Sequence, residues 1–178
     1  MKNQTWFTAD MHFGHANIIR LCDRPFSNVN EMNEMLVANF NSLVRPHDKV
    51  FFLGDIAFKD RADKYLPRLN GYKILVEGNH DVKYNPALFD EICQIREENI
   101  NTRGRAYRFV MCHYPMVEWP GYYKGAIHLH GHQHNKPEYN ERMRSEKLLR
   151  YDVGVDANNF FPVSAEQIIS FFEAENLL

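Results

Sequence analysis

Short apolar segments alternate with longer amphipathic segments along this chain. The short segments are rich in β-branched and aromatic residues, which favours buried strands. They cover residues 5–9, 50–53, 74–76, 109–112, 126–129 and 148–155. Segments 92–99 and 105–112 flank the turn residues Thr102, Arg103 and Gly104, which predicts a hairpin.

Three segments with helical spacing lie between and after these strands. Ser27 or Asn28 can cap a helix that ends before Pro46, and Ser164 can cap a final helix. A third helix is predicted over residues 62–69. Strands mixed with helices in this order predict an α/β fold, with mixed sheets and the helices outside them.

Polar residues of the metal-binding type follow five of the predicted strands. Ligands in open α/β sheets bind beyond the carboxyl ends of the strands, so these positions are the expected place for a site. The residues are Asp10 and His12 after the first strand, Asp55 after the second, Asn79, His80 and Asp81 after the third, His113 after the fourth, and His132 and His134 after the fifth.

Spacing and chemistry both favour a metal centre over scattered polar residues. Asp10 and His12 are two positions apart, as are His132 and His134, so each pair points to one side of an extended segment. Glycines at 54, 78 and 131 allow sharp turns and close approach to an ion. Carboxylate, amide and imidazole donors without thiolates suit Mn, Fe or Zn, and their number exceeds the needs of one ion. Two ions sharing a carboxylate would use them all.

In this order the motifs resemble the calcineurin-like metallophosphoesterase family, whose pattern is DxH, GD, GNH followed by D or E, H, and GHxH. The matching residues are Asp10-Met11-His12, Gly54-Asp55, Gly78-Asn79-His80-Asp81, His113 and Gly131-His132-Gln133-His134. The stretch from His12 to Ile19, with Cys22 to Phe26 after it, is similar to a subfamily of small bacterial and phage phosphoesterases.

This resemblance implies a metallophosphoesterase fold, a four-layer αββα sandwich with two mixed sheets. It also implies two divalent ions, with Mn expected first and Fe, Zn or Ni as alternatives. Asp10, His12 and His134 would hold one ion. Asn79, His113 and His132 would hold the other, and Asp55 would bridge both. His80 would face the phosphate and leaving group, with Asp81 fixing its orientation.

The activity implied by the resemblance is hydrolysis of phosphate esters, with a hydroxide shared by the two ions as nucleophile. A phosphodiesterase acting on small or nucleotide-type substrates is the leading hypothesis. A nuclease acting on polynucleotides and a phosphomonoesterase are the alternatives. A non-catalytic scaffold is disfavoured because it would not need His80.

Other residues are weaker candidates. His15, Arg20 and Arg24 could contact the phosphate or the leaving group, since a guanidinium binds oxyanions in a bidentate manner. Trp119 could stack on a base, although packing within its aromatic loop is the simpler interpretation. His128 and His130 share one face of a strand and are predicted to be packed rather than to bind metal.

Composition limits the remaining possibilities. The 178 residues predict a single domain spanning 1–178, and the net charge of −2 argues against bulk nucleic-acid binding. Three cysteines without a CxxC pair, together with the lack of an apolar leader or membrane span, predict a cytoplasmic protein. A homodimer remains open.

Overall fold

The computed structural model describes residues 3–59 and 61–178. The strands are β1 Thr5–Thr8, β2 Lys49–Phe52, β3 Tyr72–Val76, β4 Glu91–Cys93, β5 Ile95–Thr102, β6 Arg105–Cys112, β7 Ile127–His130, β8 Arg150–Asp152 and β9 Val163–Ser164. The helices are α1 Ala16–Leu21, α2 Val29–Leu43, α3 Ala62–Tyr65, α4 Glu138–Ser145 and α5 Ala165–Glu173. Short 3₁₀ turns cover Leu66–Arg68, Pro86–Leu88, Tyr122–Lys124 and Val155–Asn158.

The strands form two mixed sheets, as predicted. The first has the order β4-β3-β2-β1-β9, in which only β9 is antiparallel to its neighbour. The second has the order β5-β6-β7-β8, in which only β5 is antiparallel. The predicted hairpin joins β5 to β6 through Arg103 and Gly104, which both have positive φ (51° and 81°). Two such residues form the tight turn that matches the twist of paired strands.

Alternating side chains of the first sheet contribute to two separate cores. Phe7 of β1 faces the second sheet, where its ring centroid lies 5.5 Å from that of Phe109. Trp6, its neighbour in sequence, faces the opposite way and packs in the core that includes Met32 and Leu36 of α2. The period of two along the strand therefore buries one face against a sheet and the other against helices.

Helix boundaries follow local chemistry where the sequence marks them. The Asn28 side chain accepts hydrogen bonds from the N–H groups of Asn30 and Glu31, so Asn28 rather than Ser27 caps α2. Ser164 and Gln167 form a reciprocal capping box at the start of α5.

Two predicted elements are shorter than expected, and the helices α1 and α4 have no counterpart among the three predicted ones. The helix over 62–69 gives way to a 3₁₀ turn at Leu66, where Pro67 follows. The strand over 148–155 is reduced to β8 because a 3₁₀ turn begins at Val155. Helix α4 was missed because it buries only Tyr139, Asn140 and Met143 and is otherwise polar.

Parallel pairing brings the carboxyl ends of the central strands together. Strands β1, β2 and β3 end at one edge of the first sheet, and β6, β7 and β8 do the same in the second. The loops that carry the predicted ligands leave from these ends. Among the described residues, no helix is long and apolar enough to cross a membrane.

Candidate metal centre

The structure brings the predicted ligands from five separate loops into one cluster. Asp10, His12, Asp55 and His113 are all buried. His12 Nε2 lies 3.2 Å from His134 Nε2, and His113 Nε2 lies 3.1 Å from the Asn79 Oδ1 atom. Separations near 3 Å are those expected between donor atoms that share one ion.

Asp55 lies between two groups of donors. Its Oδ2 atom is 3.6 Å from His12 Nε2, and its Oδ1 atom is 3.6 Å from His113 Nε2. The carboxylate thus presents one oxygen to each side, which is the arrangement that a bridging ligand needs.

Within residues 3–59 and 61–178, two three-residue groups around this carboxylate could hold an ion. Donor atoms of Asp10, His12 and His134 lie within 4.8 Å of one another, and so do those of Asp10, Asp55 and His113. The ring of His132 completes the second side, with its centroid 5.1 Å from that of His113.

An unusual backbone conformation aims these side chains inward. Five of the seven predicted ligands have positive φ: 57° at Asp10, 49° at His12, 55° at Asp55, 72° at His132 and 50° at His134. Such values are uncommon outside glycine, and strain of this kind concentrates at functional sites. The left-handed residues bend each loop directly after its strand.

Gly78 and Gly131 lie too close to ligand carboxylates to carry a side chain. A Cβ on Gly78 would lie 2.4 Å from the Asp55 Oδ1 atom, and one on Gly131 would lie 2.5 Å from the Asp10 Oδ2 atom. Gly54 instead adopts a φ of 83°, which provides the predicted sharp turn before Asp55.

The electrostatics of the cluster fit a bound cation. Burial raises the pKa of Asp10 well above its ordinary value, and the nearby carboxylates of Asp152 and Asp55 add to the effect. Burial, with the nearby His134 and Arg24, lowers the pKa of His12 to about 2 and keeps its imidazole neutral. Divalent cations would compensate the carboxylates and bind neutral imidazoles, so this donor set fits the two ions implied by the sequence.

A buried ion pair positions His134. Its Nδ1 atom lies 2.8 Å from the Asp156 Oδ2 atom, leaving Nε2 directed at the cluster. Burial lowers the pKa of His134, but the hydrogen bonds with Asp156 and Cys22 and the nearby Asp10 carboxylate together outweigh burial and raise the pKa to about 10. Asp156 is itself held by Arg24, whose Nε and Nη2 atoms donate to it at 2.9 and 2.8 Å. A third group that could hold an ion consists of Cys22, His134 and Asp156. Here, however, the Asp156 carboxylate already accepts hydrogen bonds from Arg24 and His134.

Arg24 therefore does not serve as the predicted substrate-binding residue. Its side chain is buried, and beyond Asp156 its Nη atoms donate to the carbonyls of Met11 (3.2 Å) and Asp10 (2.7 Å). These bonds occupy the guanidinium, which fixes the backbone of the first ligand motif instead of meeting a phosphate.

The expected role of Asp81 is also corrected. Its Oδ2 atom accepts the N–H groups of Asp55 (2.7 Å) and Gly78 (2.9 Å), and its Oδ1 atom accepts that of Ile56 (3.1 Å). The carboxylate joins the two ligand loops and does not orient the ring of His80. Burial nevertheless raises its pKa, which these three donors partly offset.

His80 lies at the open edge of the cluster. Its N–H donates to the Asp55 Oδ1 atom at 2.9 Å, and its ring Nε2 lies 4.0 Å from Oδ2. The side chain is 53% exposed, whereas that of Asp55 is 2% exposed. The Asp55 carboxylate thus holds the backbone of His80, and the His80 ring faces solvent.

His15 and Arg20 have different surroundings. The His15 ring stacks on Phe58 with centroids 4.3 Å apart and lies 5.5 Å from the ring of His12, which places it beside the cluster. Arg20 is exposed in the last turn of α1, and no hydrogen bond or ion pair ties it to the site in the described part of the chain. A substrate contact by either residue stays a prediction.

Trp119 is a packing residue and not a base-stacking one. It is 6% exposed, donates from Nε1 to the Ala126 carbonyl at 2.9 Å, and packs against Tyr122 and His128. The prediction of a substrate contact was wrong because this aromatic loop covers the outer face of the second sheet.

His128 and His130 are packed as predicted. The Nδ1 atom of His128 lies 3.0 Å from the Val110 carbonyl, and Nε2 of His130 lies 3.0 Å from the Tyr139 hydroxyl. Burial lowers the pKa of each to about 4.

Two residues near the cluster were missed from the sequence. Asp156 follows the predicted strand at 148–155, so the rule of a polar residue after a strand could have identified it. Tyr114 directly follows His113, is 46% exposed, and lies 4.7 Å from the His132 ring. Only its neighbourhood in space distinguishes it from an ordinary surface tyrosine.

No model of a known protein family matches this chain. Over 172 residues it is 37% identical to the uncharacterised protein MJ1445 of Methanocaldococcus jannaschii, covering 94% of this chain and 90% of that protein. It is 24% identical over 185 residues to the gene 66 protein of Mycobacterium phage L5, covering 87% of each. The crystal structure of AQ665 from Aquifex aeolicus, a protein of unknown function, superimposes with a TM-score of 0.71 at 26% identity. It covers 95% of this chain and 99% of that one. The names of these three proteins state no activity.

Proposed function

We propose that this chain, which belongs to the family of the Methanocaldococcus jannaschii protein MJ1445, is a dinuclear metal-dependent phosphoesterase that acts on diesters of the nucleotide type. One observation carries the proposal above all others. A single buried carboxylate, Asp55, directs one oxygen toward His12 and the other toward His113. Two ions bridged by one carboxylate are the usual apparatus of phosphoryl-transfer hydrolases.

The architecture supports the finer assignment to the metallophosphoesterase fold. Two mixed sheets pack through a shared apolar core, with α2 on the far side of the first sheet and α4 beside β8 of the second. This arrangement is the one expected for an αββα sandwich with its site at the carboxyl ends of the strands.

Two divalent ions, Mn²⁺ in our proposal, would acidify a water and neutralise the charge on the phosphoryl oxygens. Residues around the cluster orient the metal ligands. Asp156 accepts the Nδ1 proton of His134, so Nε2 is the ring nitrogen that would bind an ion once its own proton is lost. Asp81 holds the Asp55 and Gly78 loops at a fixed separation.

His80 would stabilise the negative charge that develops during hydrolysis or protonate the leaving group. Hydrolysis forms one bond from a water oxygen to phosphorus and breaks the bond from phosphorus to the leaving oxygen, which must gain a proton. The His80 imidazole is half exposed beside Asp55 and can deliver that proton from the solvent side of the cluster.

The three free cysteines fit a reducing compartment, so we place the enzyme in the cytoplasm.

The test compares wild type with His80→Ala and with His47→Ala. His47 is an exposed loop residue at the amino end of β2, the end opposite Asp55, which makes it a matched control. Each protein is stripped with chelator, reloaded with Mn²⁺, and assayed on bis-p-nitrophenyl phosphate and p-nitrophenyl phosphate. Bound metal is counted by mass spectrometry.

We expect metal-dependent turnover of the diester, unchanged in His47→Ala and reduced about 100-fold or more in His80→Ala with metal content intact. Loss of metal from His80→Ala would contradict the role given to His80. Preference for the monoester would make the protein a phosphomonoesterase. Two bound ions without turnover of either compound would favour a scaffold.

A further inference from the structure

A groove of about 530 Å³ opens directly beside His80. It is lined by Phe58, Lys59, His80, Val82 and Lys83. These residues belong to the two loops that leave β2 and β3 after the ligands Asp55 and Asn79. A molecule bound in this groove therefore lies against His80.

The groove carries two lysines whose ammonium groups have no carboxylate partner in the described part of the chain. These residues, Lys59 and Lys83, are both exposed. Three surface arginines elsewhere do pair with carboxylates, namely Arg68 with Glu34, Arg103 with Glu166, and Arg108 with Glu97. Two cations in one concave surface attract an anion.

The rest of the lining is apolar. Phe58 is half-buried and stacks on His15 with an interplanar angle of 5°, so its ring is held in place. Val82 is 76% exposed at the rim of the groove. A fixed aromatic ring and an exposed aliphatic side chain offer contact to a flat, weakly polar part of a ligand.

The geometry points to a leaving-group subsite in this groove, for a nucleoside that bears a second phosphate. The Lys59 ammonium now lies over the Phe58 ring, 5.2 Å from its centroid. The flat base would take its place against Phe58 and Val82, and the displaced ammonium, with that of Lys83, would meet the additional phosphate. This inference rests on the proposed phosphodiesterase function and adds the substrate class, a phosphodiester whose leaving nucleoside is itself phosphorylated. A neutral leaving group would fill the groove without using either lysine.

The test uses three thymidine dinucleotides with the same internal phosphodiester: TpT, pTpT and TpTp. The proteins are Mn²⁺-loaded wild type, Lys59→Gln, Lys83→Gln and the double variant. Lys147→Gln is the control, because Lys147 is also exposed and, like Lys59, has positive φ (59° and 60°) but lies outside the groove. The quantity measured is the ratio of kcat/KM with and without the terminal phosphate.

We expect wild type and Lys147→Gln to prefer one of the phosphorylated dinucleotides by about tenfold, and the preference to weaken as salt is raised. The ratio should fall to about one in the double variant, with each single variant in between. A ratio that is near one in wild type, or that the double variant retains, would overturn the subsite.

Failure of the proposed function is distinguishable from failure of the subsite. If wild type turns over neither the dinucleotides nor bis-p-nitrophenyl phosphate, the hydrolase proposal fails. The subsite is then tested by calorimetric titration of pTpT, TpTp and TpT. Tighter binding of a phosphorylated form to wild type but not to the double variant supports the subsite, and equal binding refutes it.

Discussion

Arg24 and Asp156 form a buried ion pair whose removal gives the most direct test of the structure. Both side chains have 0% exposure, and the guanidinium donates twice to the carboxylate and once each to the Asp10 and Met11 carbonyls. Arg24→Met would roughly keep the volume of the side chain but remove these four bonds and the Nη1 hydrogen bond to the Met32 sulfur at 3.5 Å. It would leave a carboxylate in the interior with only His134 as partner.

The expected cost is about 3–5 kcal/mol in the free energy of unfolding, the usual result of breaking a buried pair from one side. The Asp156 bond to His134 Nδ1, at 2.8 Å, should keep the loss toward the lower end of that range. Replacing both partners, as Arg24→Met with Asp156→Leu, should recover part of the loss because no uncompensated charge then remains.

The assay is urea unfolding of the metal-free proteins, followed by circular dichroism at neutral pH. Arg20→Met is the matched control, because Arg20 is an exposed arginine in the same part of the chain. Its substitution should change stability by less than about 0.5 kcal/mol. A loss below about 1 kcal/mol in Arg24→Met would refute the buried pair and return Arg24 to the substrate-facing role.

Three further outcomes follow from other contacts. Gly78→Ala should reduce metal content and turnover, because the new Cβ would stand 2.4 Å from the Asp55 Oδ1 atom; Gly104→Ala, with nothing within 4 Å of its Cβ, should keep both. Trp119→Ala should cost about 3–5 kcal/mol in urea unfolding while leaving kcat per folded molecule within twofold, and a selective loss of kcat would restore its substrate role. Burial lowers the pKa of His128 to about 4, whereas its ordinary value is near 6.5. The unfolded chain therefore takes up a proton at this residue before the folded protein does, so the free energy of unfolding falls as pH drops from about 6.5 toward 4. The difference in unfolding free energy between wild type and His128→Leu should therefore shrink by about 3 kcal/mol from pH 7 to pH 4, and a constant difference would contradict the buried neutral ring.

Local chemistry in the sequence was sufficient to predict most of the candidate site. Asp10 and Asp55 each follow a short apolar strand of the first sheet, where parallel pairing brings the carboxyl ends to one edge. His113 follows a strand of the second sheet and joins them because the two sheets pack together. Any fold that buries these strands side by side must collect the residues behind them. The hairpin at Arg103 and Gly104 was predictable for a similar reason, since its turn depends on two adjacent residues.

The roles of isolated polar and aromatic residues were decided only by the tertiary structure. Arg24 and Asp156 are 132 positions apart in the chain, so nothing near either residue marks them as partners. Trp119 belongs to an aromatic segment of the kind that lines pockets, but it packs on a face of the second sheet. Asp81 accepts a hydrogen bond from the backbone N–H of Ile56, 25 positions away. The partner of a side chain depends on which loops the packed sheets bring together. Whether a residue directly follows a strand depends only on its neighbours in the sequence.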